Sequence, residues 1–260
     1  MIRTVTATRY VTPLREGGSL PAIVEADDDG LYVVKFRGAG QGPKALIAEL
    51  VAGEIGRALG LLVPDIVFID FDPAMARGEP DAEIQALLKA SAGRNLALDY
   101  LPGSITYDPL SRAQPEPLPA AEIVWFDAYM TNVDRTARNT NMLVWHRRLW
   151  LIDHGAALYF HHSWADYQAR ATSPFLAIKD HVLLSRAKGL DATDGTMRTR
   201  LTPALIEEIV AMIPDDWLGD VVHFTSVPEH RAAYVTYLLD RLAASAVFVE
   251  EAERARAKLV

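Results

Sequence analysis

Apolar and polar positions change period several times along the chain, and each change marks an element. Leu31-Tyr32-Val33-Val34-Lys35-Phe36 is β-branched and aromatic and predicts a strand; the apolar run Ala22-Ile23-Val24 and the acidic turn Asp27-Asp28-Asp29-Gly30 before it complete a hairpin. From about Ala45 to Leu59 the period is helical, with Leu46, Ile47, Leu50, Val51, Ala58 and Leu59 recurring on one side and Gly60 as a C-terminal stop. Asn95-Leu96-Ala97-Leu98 predicts a strand that ends in Asp99-Tyr100-Leu101 and breaks at Pro102-Gly103. Four prolines between Tyr107 and Pro119 prevent a continuous helix, and a helix follows from about Ala120 to Thr131. Met142 to Ile152 reads as two short apolar strands around a basic turn. Ala156 to Gly195 is mixed in pattern. Thr202-Pro203 then opens a short helix, and Ser226 to Glu229 has capping-box spacing at the head of a longer one that places Val235, Leu238, Leu239, Leu242, Ala246 and Val249 on one face.

Polar residues at the junctions of these elements carry the candidate chemistry. Asp134 is followed by Asn139 five residues later, and Asp153-His154-Gly155 comes after the predicted hairpin, which would return Asn139 and Asp153 to one end. Phosphoryl-transfer enzymes use this arrangement: the first Asp accepts a proton from the attacking hydroxyl, while the Asn and the second Asp offer oxygens to a Mg²⁺ that bridges ATP phosphates. The order strand, then helix, offers Lys35 to the α- and β-phosphates and Glu49 as its orienting partner. An adenine edge would meet the backbone of Asp99, Tyr100 and Leu101 at the hinge. Gly17-Gly18-Ser19 occupies the hairpin position of a phosphate-covering loop. Gly38 to Lys44 fits neither nucleotide template, because Pro43 separates Gly42 from Lys44, and reads as a mobile, substrate-facing connection. Arg138 is a candidate to neutralise charge on the transferring phosphoryl group. Asp127 is expected to fix the Asp134 loop from behind.

These phrases, in this order, resemble the HipA-like kinases, bacterial relatives of the phosphatidylinositol kinases. The resemblance is carried by Tyr32-Val33-Val34-Lys35, Glu49 with Gly60-Leu61-Leu62-Val63-Pro64, Leu98 to Gly103, Phe126-Asp127, Asn132 to Arg135 and Asp153-His154-Gly155, and covers roughly residues 14 to 160. It implies a catalytic Asp134, metal ligands Asn139 and Asp153, and a phosphate-binding Lys35. It also implies a protein serine as acceptor, a toxin-like regulatory role and self-control through a serine such as Ser19. The wider relatives phosphorylate lipid head groups and small molecules. The toxin that names the family has an extra N-terminal domain for which these 260 residues are expected to leave no room, so binding to a DNA-bound antitoxin is not carried over. His154 stands where many protein kinases have Phe.

The expected fold is α+β and bilobal, protein-kinase-like, with a β-rich small lobe over residues 1 to 101, a hinge at about 98 to 103 and a mainly helical large lobe over 102 to 260. The expected cofactors are ATP and Mg²⁺. Composition narrows the alternatives. The chain has 260 residues, half of them hydrophobic, which suffices for a full core. The absence of cysteine excludes disulfides, thiolate metal sites and cysteine nucleophiles. No apolar run is long enough to span a bilayer and no signal-peptide core is present, so the cytoplasm is expected. A net charge of −8 argues against a general nucleic-acid surface, although Arg135, Arg138, Arg147 and Arg148 form a local basic cluster in sequence. The competing readings are a nucleotide-binding regulator without turnover, a Rossmann-type oxidoreductase built on Gly38 to Gly42, and a metal hydrolase built on His161-His162. Adjacent histidines on a strand would point to opposite faces, which counts against the last.

Overall fold

The computed structural model describes residues 2–14 and 20–259. Five strands, β1 (Thr4–Pro13), β2 (Ala22–Ala26), β3 (Leu31–Lys35), β4 (Ile66–Phe71) and β5 (Gly93–Asp99), close into a barrel in the order β1-β2-β3-β5-β4. Neighbours are antiparallel except β1 and β4. Period-2 alternation decides where Lys35 goes. Tyr32 and Val34 point into the barrel and are buried, so Val33 and Lys35 share the opposite face. β3 lies between β2 and β5, so Lys35 does not guard a free edge.

Helix α1 (Pro43–Ala58) follows β3 and packs under β4. Gly53 permits that approach: a Cβ there would lie 2.4 Å from Ile66 Cδ1. The helix ends in a Schellman motif, with Gly60 at φ +83°, its amide on the Arg57 carbonyl at 2.9 Å and the Leu61 amide on the Gly56 carbonyl at 2.9 Å. A second helix, α2 (Ala82–Ala90), lies between β4 and β5.

The remainder is mainly helical. A small sheet of β6 (Ile105–Thr106), β7 (Met142–Trp145) and β8 (Arg148–Leu151) follows the Pro102-Gly103 break. The basic turn of its hairpin places His146 and Arg147 at φ 47° and 62°, the left-handed pair that matches strand twist. Helix α3 (Pro117–Met130) is apolar on nearly all sides and runs through the main core, with Trp125, Phe126 and Tyr129 fully buried. The other helices are α4 (Tyr167–Ala171), α5 (Leu190–Arg200), α6 (Pro203–Ala211), α7 (Val227–Ala243) and α8 (Ser245–Arg256), of which α5 and α8 pack directly on α3.

The long final helix expected from the sequence is two helices bent by 60°. α7 buries Ala233, Tyr234, Tyr237, Leu238 and Arg241, and α8 buries Phe248, Val249, Ala252 and Ala255. The expected stripe crosses the break. Ser245 Oγ donates to Asp194 at 3.0 Å, and Phe248 turns edge-on to Trp125 at 5.6 Å, so α8 follows α3 rather than continuing α7. Among the described residues no single helix is long and apolar enough to cross a membrane.

Candidate active site

Helix α3 delivers the chain into the candidate catalytic loop. Thr131 ends it in a left-handed conformation, and the Asn132 amide returns to the Asp127 carbonyl at 2.9 Å. Asp127 is fully buried, and its carboxylate gathers three donors: Asn132 Nδ2 at 2.9 Å, Arg135 Nε at 2.6 Å and His181 Nε2 at 2.9 Å. Burial alone would raise its pKa. The Arg135 guanidinium and the His181 hydrogen bond outweigh that and hold the carboxyl far below the usual range. Arg135 also donates to the carbonyls of Asn141 and Ile152. It therefore ties the loop to the residue before Asp153.

That framework presents Asp134. Its Oδ2 accepts from Asn139 Nδ2 at 2.7 Å and from Asn141 Nδ2 at 3.3 Å, which fixes the carboxylate and turns the Asn139 carbonyl oxygen away from it. On the facing strand, Lys35 Nζ donates to Asp153 Oδ1 at 2.6 Å. Burial pulls the ammonium toward neutrality, but Glu49 and Asp153 offset it, and the net shift is upward, so Lys35 stays charged. Asp153 is likewise pushed up by burial and brought below its ordinary value by Lys35.

Glu49, the expected orienting partner of Lys35, makes no hydrogen bond to it. It is buried, its Oε1 lies 3.3 Å from His154 Nδ1, and its Oε2 and His154 Nε2 have no partner among the described residues. Glu49 acts on Lys35 through its field while Asp153 takes the direct contact. His154 packs edge-on to Phe126 at 5.8 Å.

Two cavities meet at this set. The larger, about 920 Å³, has apolar walls from Val33, Leu98, Leu143 and Ile152, and the hinge residues Asp99, Tyr100 and Leu101 along one side. The Leu101 amide has no backbone acceptor among the described residues. The smaller, about 450 Å³, is bounded by Gly40, Gln41, Ala45, Gly155 and Ala156, with Asp134 in its wall. Lys35, Asn139 and Asp153 line both. The partition between the two spaces is thus the lysine and the two candidate metal ligands.

The donor set suits a hard divalent ion held jointly with phosphates. Among the described residues no group of three or more His, Cys, Asp or Glu forms a self-sufficient metal site. One carboxylate from Asp153 and one amide oxygen from Asn139 instead match Mg²⁺, which takes few protein oxygens and completes its shell with phosphate and water.

The family model of the HipA-like kinases matches residues 8–251. The chain belongs to the HipA-like kinase family. Among solved structures it is similar to the proinflammatory kinase CtkA of Helicobacter pylori, at 14% identity and a TM-score of 0.60 with all of each chain covered. It is also similar to a Golgi casein kinase with Mn/ADP bound, at 13% identity and a TM-score of 0.51, with all of this chain and 75% of that one covered. A search of curated proteins gave no significant match. The fold is that of a kinase, and the family match extends through the helical tail that carries no sequence motif.

Within this HipA-like kinase several sequence expectations need relocation. Arg135 does not belong to a phosphate-facing patch: it is 1% exposed and bound to Asp127. Arg147 and Arg148 are exposed at the β7–β8 turn, the far end of the hairpin from Asp153, so the basic cluster is a cluster in sequence only. Arg138 is exposed and lines neither cavity. Gly17, Gly18 and Ser19 lie outside the described residues; Leu14 and Pro21 on either side line the larger cavity. The Gly38 to Lys44 connection does face the candidate transfer point, since Ala39, Gly40 and Gln41 line the smaller cavity. Asn141 and His181 carry site geometry that the sequence reading did not single out. Asn141 had a faint signal, lying two residues beyond Asn139; His181 had none.

The paired histidines serve packing. His161 is buried and shares a hydrogen bond with Tyr234 Oη at 3.1 Å, and burial holds its pKa well below 6.5. Nearby His230 stacks on Phe224 at 4.4 Å, has no hydrogen-bond partner for either ring nitrogen among the described residues, and is brought down to about 4 by burial. A depressed histidine pKa means that the unfolded chain binds the proton more readily. The stability these rings contribute is complete above pH ~6.5 and shrinks as pH falls toward 4. Melting temperature should therefore drop over that interval, and His230→Phe should flatten part of the drop. An unchanged pH slope in the variant would show that His230 is not the group responsible.

Proposed function

We propose that this HipA-like kinase transfers the γ-phosphoryl group of ATP, with Mg²⁺, to a serine or threonine hydroxyl of a protein in the cytoplasm. The observation that carries the reading is the partition: one cavity with a hinge and apolar walls, a second containing a candidate base, and the lysine and metal-ligand pair between them. The larger space would take the nucleotide, with the ring against Val33 and Leu98 and the hinge backbone at its edge. Bound there with phosphates, Mg²⁺ would neutralise charge that develops during transfer. Lys35 would hold the phosphates, and Asp134, oriented by Asn139 and Asn141, would take the acceptor proton. The Mn/ADP bound to the Golgi casein kinase supports this cofactor pair.

The lining of the smaller cavity favours a neutral acceptor. Its charged members among the described residues are Lys35, Glu49, Asp134 and Asp153, one cation against three carboxylates, and the cation is already paired. Among the described residues no spare positive group lines it to receive a phosphorylated lipid head group. Its small walls, Gly40, Ala45, Gly155 and Ala156, leave room for a peptide backbone beside the hydroxyl. A toxin-like regulatory role has its support in the family membership.

Asp153→Asn tests the nucleotide half. Removing one formal charge from the ion site should weaken Mg²⁺-dependent ATP binding or turnover by at least about tenfold, or ~1.4 kcal/mol, and wild-type behaviour would sink the assignment. The acceptor half is tested by incubating the protein with labelled ATP, Mg²⁺ and cell extract. Label in protein bands supports the proposal; label in lipid or small molecules overturns the acceptor; retained ATP binding without transfer would identify a nucleotide-binding regulator.

A further inference from the structure

A segment remote in sequence completes the support of the catalytic loop. The turns at Leu176–Asp180 and Leu184–Arg186 flank His181, which pairs with Thr136 in an antiparallel bridge, and the Val182 amide donates to the Arg135 carbonyl at 3.1 Å. The His181 ring is fixed by its own chain. Its Nδ1 accepts from the Leu183 amide at 3.1 Å, so in the neutral ring the proton resides on Nε2, which donates to Asp127 Oδ2 at 2.9 Å. Asp127 holds Arg135, and Arg135 holds the carbonyls of Asn141 and Ile152. Asn141 in turn orients Asp134, and Ile152 precedes Asp153. A run of hydrogen bonds thus joins the downstream segment to the Asp134 carboxylate and to the backbone just before Asp153, through groups that are 7% exposed or less up to Arg135.

We propose that His181 is a positioning residue: it acts through Asp127, Arg135 and Asn141 to hold Asp134 in register, so the site is fully formed only while the 176–186 segment is docked. His181 touches neither carboxylate. The proposal rests on the reading of Asp134 and Asp153 as the catalytic set, and a shape-preserving pair of variants separates positioning from bulk. His181→Phe fills the space without a donor; His181→Gln restores an N–H at about the Nε2 position.

Three measurements on the full chain decide it: ATP hydrolysis with Mg²⁺, calorimetry of Mg²⁺-ATP binding, and hydrogen exchange of the 132–141 amides. His181→Phe should lose about ten- to hundredfold in kcat, the range for residues that orient a reactive group from behind. ATP affinity should stay unchanged, the 132–141 amides should exchange faster, and His181→Gln should recover most of both losses. Unchanged kcat and exchange in His181→Phe would overturn the proposal, as would equal losses in the Gln variant or an accompanying collapse of ATP affinity. A wild-type protein without ATP turnover would instead count against the catalytic reading, and the exchange measurement alone would then decide whether His181 orders the loop.

Discussion

Asp134→Asn should lower phosphoryl transfer by roughly a hundredfold to ten-thousandfold while leaving Mg²⁺-ATP affinity nearly unchanged, the range expected for loss of a general base. The carboxylate faces the smaller cavity and not the larger one, so in the proposed reaction its task would arise with the acceptor and in the transition state, whereas ATP binding would draw on Lys35, Asp153 and the backbone of Asp99 to Leu101. Both amide hydrogen bonds to Asp134 end on one oxygen, Oδ2, so an asparagine oxygen can still accept them and the substitution removes the base while keeping its placement. Calorimetry beside a transfer assay on one preparation decides the outcome. If affinity fell with turnover, Asp134 would be a metal ligand or a structural residue; if neither changed, its catalytic assignment would fail.

The largest effect on stability should come from Arg135→Leu. The Arg135–Asp127 pair is completely buried, and removal of the cation leaves an ionised carboxylate in the core with His181 and Asn132 as its remaining partners. Breaking such a pair from one side costs about 3–5 kcal/mol. Asp127 now sits far below its ordinary pKa and contributes stability above about pH 4, lost as pH falls through its folded value. In Arg135→Leu burial acts without the guanidinium that opposes it, so the carboxyl pKa rises and that pH dependence weakens or reverses. Urea unfolding of the single variants and of Asp127→Leu with Arg135→Leu would show it: the double variant should recover part of the loss. A single variant within about 0.5 kcal/mol of wild type, the range of ordinary surface changes, would show the pair to be dispensable.

Much of the architecture was legible because local pattern and tertiary role coincide. The β2–β3 hairpin, α1 with its Gly60 stop, the break at Pro102-Gly103, the β7–β8 hairpin and the Thr202 and Ser226 caps all stand where period and turn chemistry put them. β1 and α2 escaped notice because each buries little: β1 only Val5 and Ala7, α2 only Ile84 and Leu88, too few positions for a period to show. The bend after Ala243 was invisible for the opposite reason. Its apolar residues continue at helical spacing across the break, and what turns the chain is Asp194 and Trp125, elements far away in sequence.

The candidate site divides along the same line. The sequence by itself determined the identities and order of Lys35, Asp134, Asn139 and Asp153 and the hairpin that returns the last two to one end, because turn chemistry and strand period are local properties. Only the tertiary structure decided which of these groups touch. It paired Lys35 with Asp153, left Glu49 to His154, put Arg135 inside rather than on a phosphate-facing surface, and set His181 behind Asp127. Charge pairing in a buried site depends on which side chains close packing brings within about 3 Å, and that distance is set by contacts across the whole chain, which no local pattern records.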